Sequence, residues 1–210
     1  MSDELKQVRD YWDQRARNAP DDCSRIESGR KGQRLRFDSF LRANDLRGGS
    51  ILDIGCGVGD FLGRLRETGV AADYSGIDVS PEMIGRARER FPDARFEVGD
   101  AGAMNRRFDY TVAFAIHNVK VEHGRDILER SLRRQFELCD VAAHISLLTD
   151  RYRGFDAHIQ AWPAEELLTL ALSITPYVSL RHDYLPNDFS LTLYRRPLID
   201  RDPALTGDLS

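Results

Sequence analysis

An apolar stretch that runs without interruption into three alternating glycines constrains this chain more than anything else in it. The segment is Ile51-Leu52-Asp53-Ile54-Gly55-Cys56-Gly57-Val58-Gly59-Asp60-Phe61. Its first half has the apolar character of a buried strand, and an amphipathic helical pattern follows the glycines. Glycine has no Cβ, so such a turn takes up positive φ and lets a ligand lie against the backbone. The helix behind it offers N–H groups to a carboxylate or phosphate. An acid, Asp78, ends a second predicted strand, Tyr74-Ser75-Gly76-Ile77-Asp78, at the spacing at which a carboxylate grips ribose hydroxyls. Together these features predict a nucleoside-containing ligand at the carboxyl edge of a parallel sheet.

A dinucleotide fingerprint, G-x-G-x-x-G/A, ends in a small residue that lets helix and strand close around a pyrophosphate. Counted from Gly55, that position is Asp60, an acid that opposes a pyrophosphate and tolerates a cationic ligand, which disfavours a nicotinamide enzyme. The pattern present is D-x-G-x-G-x-G, Asp53 to Gly59. It resembles the first motif of class I S-adenosyl-L-methionine (SAM) dependent methyltransferases. SAM carries a sulfonium, an ammonium, a carboxylate and a ribose but no phosphate, which suits the acidic framing. The resemblance implies a Rossmann-like α/β fold and SAM as the cofactor, with Asp53, Gly55, Cys56, Gly57, Gly59 and Asp78 in its cradle. It also implies that Asp100, at the end of Arg95-Phe96-Glu97-Val98-Gly99-Asp100-Ala101, reads the adenine amino group, flanked by Gly99 and Ala101. Val79 and Met83 are expected on the adenine faces, with Met83 equally at home in the core of a helix that Ser80 caps and Pro81 opens.

A closer resemblance covers most of the chain, from about Gly29 to Tyr194. Gly29-Arg30-Lys31-Gly32-Gln33-Arg34-Leu35-Arg36-Phe37 and Leu180-Arg181-His182-Asp183-Tyr184-Leu185-Pro186-Asn187-Asp188-Phe189 are similar to segments of a little-characterised group of small bacterial methyltransferases. This implies that Gln33 and Arg36 approach the methionine end of SAM, with Arg36 on its carboxylate; surface charge is the plainer reading of Arg36. The chain departs from the group at His117, where an aromatic commonly precedes the asparagine, and at Ala157-His158-Ile159. Both departures fall in the expected acceptor pocket, so the acceptor is not carried over.

From Ser50 onward, strand and helix patterns alternate, which predicts a doubly wound sheet with right-handed crossovers and helices on both faces. Strands are expected near 50–54, 73–77, 94–97, 108–114, 140–147, 177–183 and 189–195. Helices are expected near 58–68, 81–90, 124–137 and 163–173. The short link Leu185-Pro186-Asn187-Asp188 permits only an antiparallel neighbour, giving seven strands, mostly parallel, with an antiparallel last strand. Two further helices, about 4–18 and 32–44, precede the sheet. The expected division is a helical cap or lid over 1–48, a core over 49–196 and a flexible tail over 197–210.

A chain of 210 residues fits one such domain. A net charge of −4 gives no global attraction to nucleic acid or anionic membrane. No stretch reaches membrane-spanning length, no signal peptide is visible, and Cys23, Cys56 and Cys139 have no metal-ligand spacing, so a cytoplasmic protein without a metal is expected, monomeric or homodimeric.

The fourth strand runs into Ala115-Ile116-His117-Asn118, where the resembled family places residues nearest the transferring methyl. His117 reads equally as a general base for an acceptor hydroxyl or amine and as a residue that packs beside the sulfonium. Tyr152 and His158, after the fifth strand, are the next catalytic candidates; His144 reads as a core histidine, and His182 and Tyr184 as parts of a structural turn. These features predict a SAM-dependent methyltransferase of a small molecule, at oxygen or nitrogen rather than carbon. Two alternatives stand beside it: a SAM-consuming cyclase that forms a small cyclic amino acid and releases methylthioadenosine, and a SAM-binding module without catalysis.

Overall fold

The structure, a computed structural model, describes residues 2–18 and 29–198. The connection containing Cys23 and all but the first two residues of the expected tail lie outside the described residues. Two helices, α1 (Asp3–Asn18) and α2 (Gly29–Leu41), come first. The alternating region follows as β1 (Ser50–Ile54), α3 (Asp60–Glu67), β2 (Asp73–Asp78), α4 (Pro81–Arg90), β3 (Arg95–Val98), β4 (Phe108–Phe114), α5 (Gly124–Leu138), β5 (Cys139–Leu148), α6 (Ala164–Leu172), β6 (Val178–Leu185) and β7 (Asp188–Tyr194).

The seven strands form one sheet in the order β3-β2-β1-β4-β5-β7-β6. All the pairings are parallel except those of β7, which is antiparallel to β5 and to β6. The chain starts in the middle at β1, moves outward through β2 and β3, then returns to lay β4 on the other side of β1. That reversal opens a crevice at the carboxyl ends of β1 and β4, where open α/β sheets bind ligands.

Side-chain alternation distributes the core to both faces. Ile51, Tyr74, Tyr110 and Val112 join Phe37 and Phe40 of α2, Phe61 and Leu65 of α3 and Ile84 of α4. Leu52, Ile54 and Ile145 join Leu128 and Leu132 of α5 and Leu167 of α6 on the opposite face. Burying a leucine such as Leu128 or Leu132 contributes about 1.5–3 kcal/mol.

The expected cap divides in two. α2 packs into the core through Phe37 and Phe40, and ends at Leu41 rather than 44 because the Asn44 side-chain amide donates to the Phe40 carbonyl and closes the last turn. α1 buries Ala16 against Val58 and Met83, while Leu5, Val8 and Trp12 border a cavity over the sheet's carboxyl edge. Its apolar stripe therefore faces an enclosed space more than the core. No helix among the described residues is long and apolar enough to cross a membrane.

Candidate active site

One cavity of about 440 Å³ lies over the crevice and is bounded by α1, α2, the turn after β1, the ends of β2, β3 and β4, and α5. At its floor the backbone turns sharply after Ile54. Gly55 has φ +69°, and a Cβ there would lie 2.3 Å from Cγ2 of Ile116, so only glycine lets β1 and the β4 loop approach this closely. Gly55, Cys56 and Gly57 border the cavity; Gly59 does not. A Cβ on Gly59 would meet Phe91 and Phe96, so its missing side chain serves helix–strand packing.

Asp78 is buried at the end of β2. Its Oδ2 accepts the Gly57 N–H at 2.9 Å and its Oδ1 accepts the Ser80 N–H at 2.9 Å. The acid thus locks the glycine turn to the second βα loop, and Gly57 directs its N–H to Asp78 rather than outward. Burial lifts the Asp78 carboxyl to about 6, the backbone N–H groups of Ser80, Gly57 and Val79 pull it down, and Asp13 of α1 adds to the rise. The Ser80 hydroxyl donates to Asp13 while accepting the Met83 N–H, which ties α1 to the start of α4. Val79, Met83, Gly99, Asp100 and Ala101 continue the same wall. Asp100 Oδ1 accepts the Gly102 N–H at 2.7 Å, capping a single 3₁₀ turn over Ala101–Ala103.

On the α2 side, Gln33 donates to Asp60 at 3.0 Å and Arg36 donates through Nε and Nη2 to buried Asp188 at 2.9 and 2.6 Å. Both residues border the cavity. The plainer reading of Arg36 as surface charge is corrected: its side chain is 4% exposed.

Asp53 also borders the cavity, and Tyr74 donates its hydroxyl to Asp53 Oδ2 at 2.6 Å. Burial raises the Asp53 carboxyl to about 7, against the Tyr74 bond, with Asp78 and Asp60 adding to the rise. The folded protein therefore holds this proton more tightly than the unfolded chain. The resulting stability is present at low pH and lost as pH rises through about 7. Asp78 acts with the same sign through about 6, whereas buried His117 and His144, held near 4 and 3, destabilise the fold as pH falls below 6.5. These effects overlap below pH 6.5, and comparing wild type with an Asp53 variant isolates that of Asp53. Ligand-free Asp53→Asn is expected to gain on wild type progressively as pH rises from about 4 to 7, so that its advantage at pH 8 exceeds its advantage at pH 5.5 by about 2 kcal/mol, several degrees in Tm. Scanning calorimetry at the two pH values checks this; the same difference from wild type at both contradicts it.

The β4 loop carries the remaining candidates. Ala115 adopts φ +60°, uncommon for a residue with a Cβ, and its N–H donates to the Ser146 carbonyl. Segment 158–162 pins the loop: Lys120 N–H donates to the His158 carbonyl, Gln160 N–H to the Asn118 carbonyl, and Trp162 Nε1–H to the His117 carbonyl at 2.9 Å. Ala115 and His117 border the cavity. His117 Nε2 is shielded from solvent without a hydrogen-bond partner, and desolvation lowers the ring to about 4. It is neutral near pH 7 and a weak base, which counts against the general-base reading.

Tyr152 and His158 lie outside the cavity wall. Tyr152 is 41% exposed and packs on Phe155, while the exposed His158 ring sits 5.9 Å from Tyr11. His182 and Tyr184 are outside it too. Trp162 is the aromatic residue that the fifth-strand region contributes, and sequence reasoning missed it. A tryptophan–proline pair opening a helix is the signal that marks it. Among the described residues no group of three or more His, Cys, Asp or Glu side chains is placed to hold a metal ion.

A glycine turn locked to the acid that ends β2, on this strand order, is the arrangement expected of a class I SAM-dependent methyltransferase, and the comparisons place the chain among the methyltransferases. Residues 51–135 match the family model described as "Methyltransferase domain". "Putative methyltransferase Rv1506c" of Mycobacterium tuberculosis is 32% identical over 154 residues, covering 68% of this chain and 90% of that protein. The chain belongs to the SAM-dependent methyltransferases, and its cofactor is SAM. Trans-aconitate 2-methyltransferase of Rhizobium meliloti is 33% identical over 78 residues, 37% of this chain and 30% of that protein. The crystal structure of magnesium protoporphyrin IX methyltransferase from Synechocystis PCC 6803 with bound S-adenosylhomocysteine (SAH) has the same fold. It superposes with a TM-score of 0.71 at 16% identity over 92% of this chain and 100% of that one.

Proposed function

We propose that this protein methylates a small organic acceptor at oxygen or nitrogen. The observation that carries the reading is the continuity of the cavity. One space runs from the glycine turn and Asp78 to His117, Trp162 and α5, so cofactor and acceptor meet in a chamber walled mostly by apolar side chains. The residues fit SAM: a cradle at Gly55 that a Cβ would close, a buried carboxylate at Asp78 with lone pairs beyond its two N–H bonds, and Asp53 and Asp60 beside the turn.

When bound, SAM supplies a methyl group activated by its sulfonium. Asp78 holds the ribose hydroxyls, Asp53, Gly55, Cys56 and Gly57 shape the floor, and Gln33 and Arg36 stand at the methionine end. Val79, Met83, Gly99, Asp100 and Ala101 enclose the adenine. Ala115 turns the β4 loop so that His117 faces the acceptor. A neutral His117 offers a hydrogen bond that orients the acceptor, and α1 with Trp162 excludes water. Alignment in a dry site supplies a large part of such an acceleration without a strong base. The relatives' names differ in acceptor, so they support the reaction class and leave the acceptor to the chamber.

The test incubates purified protein with SAM, alone and with a panel of carboxylic acids, phenols and amines, and identifies the nucleoside product. SAH formed only with an acceptor is the expected result. Methylthioadenosine formed from SAM alone would replace this reading with self-cyclisation, and SAM bound without turnover in any mixture would leave a binding module.

A further inference from the structure

Five residues of α5, Gly124, Ile127, Arg130, Ser131 and Arg134, recur at helical spacing and border the cavity. Arg134 is fully engaged in holding the wall: it donates to the carbonyls of Ala101 and Met104 and pairs with Glu137 at 2.8 Å. Arg130, one turn earlier, differs. It is exposed at the rim, and among the described residues nothing hydrogen-bonds to it or pairs with it within 4 Å.

The charges that face it are few. Glu4 of α1 borders the same opening and feels both Arg130 and His123 only at a distance. His117, deeper in, is neutral. The walls between them are Leu5, Val8, Val119, Val121 and Trp162. A guanidinium left over at the edge of an apolar chamber suits a planar anion on an apolar body, because the fork of N–H donors matches a carboxylate. Glu4 across the opening disfavours a dianion and leaves a monoanion.

We propose that Arg130 is a specificity-determining residue that selects, as acceptor, an apolar monocarboxylic acid and anchors its carboxylate. This rests on the reading of the chamber as the acceptor site.

The test is calorimetric titration of the full chain saturated with SAH, using octanoate, phenylacetate and indole-3-acetate, each against its amide. At least one acid is expected to bind about tenfold tighter than its amide, the gain of one charge-assisted contact at an exposed rim. Arg130→Gln reduces that preference to within about twofold, Arg130→Lys keeps part of it, and Glu4→Gln enlarges it, while SAH affinity stays the same in all three variants. Arg130 makes no internal bond among the described residues, so its variants fold. SAH uptake with no acid preferred, or a preference that survives Arg130→Gln, overturns this inference alone. Failure of the wild type to take up SAH overturns the parent reading and this one with it.

Discussion

Replacing Asp78 with alanine is expected to weaken SAH binding about 100-fold or more while the chain remains folded. The carboxylate is buried at the end of β2, and each of its oxygens already accepts one backbone N–H, from Gly57 and from Ser80. Those bonds fix its plane and leave further lone pairs for two neighbouring hydroxyls. A hydrogen bond to a charged acceptor contributes about 1.5–3 kcal/mol, so two of them account for a loss of that size. Asp78→Asn keeps the shape and loses the charge, and is expected to lose most of the affinity. The pH dependence provides a second signature. Burial holds the carboxyl near 6, and only the ionised form accepts from both hydroxyls. Wild-type affinity is therefore flat above about pH 7 and falls below 6, by at most tenfold per pH unit for a single group; Asp78→Asn shows no such slope. Calorimetry from pH 5 to 8 reads both effects. If Asp78→Ala bound SAH as tightly as wild type, the ribose role would be lost.

That acid was legible because its signal is local. A short apolar strand ending in a carboxylate, one βα unit after a glycine turn, needs no tertiary information, and the same holds for the alternation that yields the sheet. The antiparallel ending followed from chain length alone, since Pro186-Asn187 is too short to cross the sheet. What escaped was long-range. Arg36 and Asp188 are 152 residues apart, and nothing in either local pattern records that one buries the other. Tyr152 and His158 share a polar stretch with Trp162, yet only Trp162 turns into the cavity. Which side chain turns inward depends on the bonds that segment 158–162 makes to the β4 loop, and composition does not encode them. Gly59 has a packing role that its place in the motif does not record: its missing side chain leaves room for Phe91 and Phe96. The α1 stripe had the right period for a core helix, and periodicity does not distinguish a core from a cavity wall.

The buried ion pair that escaped the sequence sets the largest stability effect. Asp188 is 0% exposed at the start of β7 and accepts from Nε and Nη2 of Arg36 and from the Tyr184 hydroxyl, so α2, β6 and β7 meet on one carboxylate. The proximity of Asp188 outweighs desolvation and raises the Arg36 guanidinium further, while burial raises the Tyr184 phenol. Asp188→Ala removes the negative charge and keeps a positive one in a site shielded from water. Breaking such a pair from one side costs about 3–5 kcal/mol, which in a chain of this length lowers Tm by roughly 10 °C. Removing the charge from both sides is far milder. Arg36→Met with Asp188→Asn leaves an acceptor for Tyr184 and no buried cation, and its Tm is expected within a few degrees of wild type. The same double variant separates stability from binding. Arg36 borders the cavity beside Gln33, so the refolded α2 presents a methionine-end wall without its guanidinium, and SAH affinity falls although the fold is restored. Thermal melts and SAH titrations on the two variants decide the matter. A double variant as unstable as Asp188→Ala would mean that packing, and not charge, holds this corner; one that binds SAH as wild type does would remove Arg36 from the cofactor's reach.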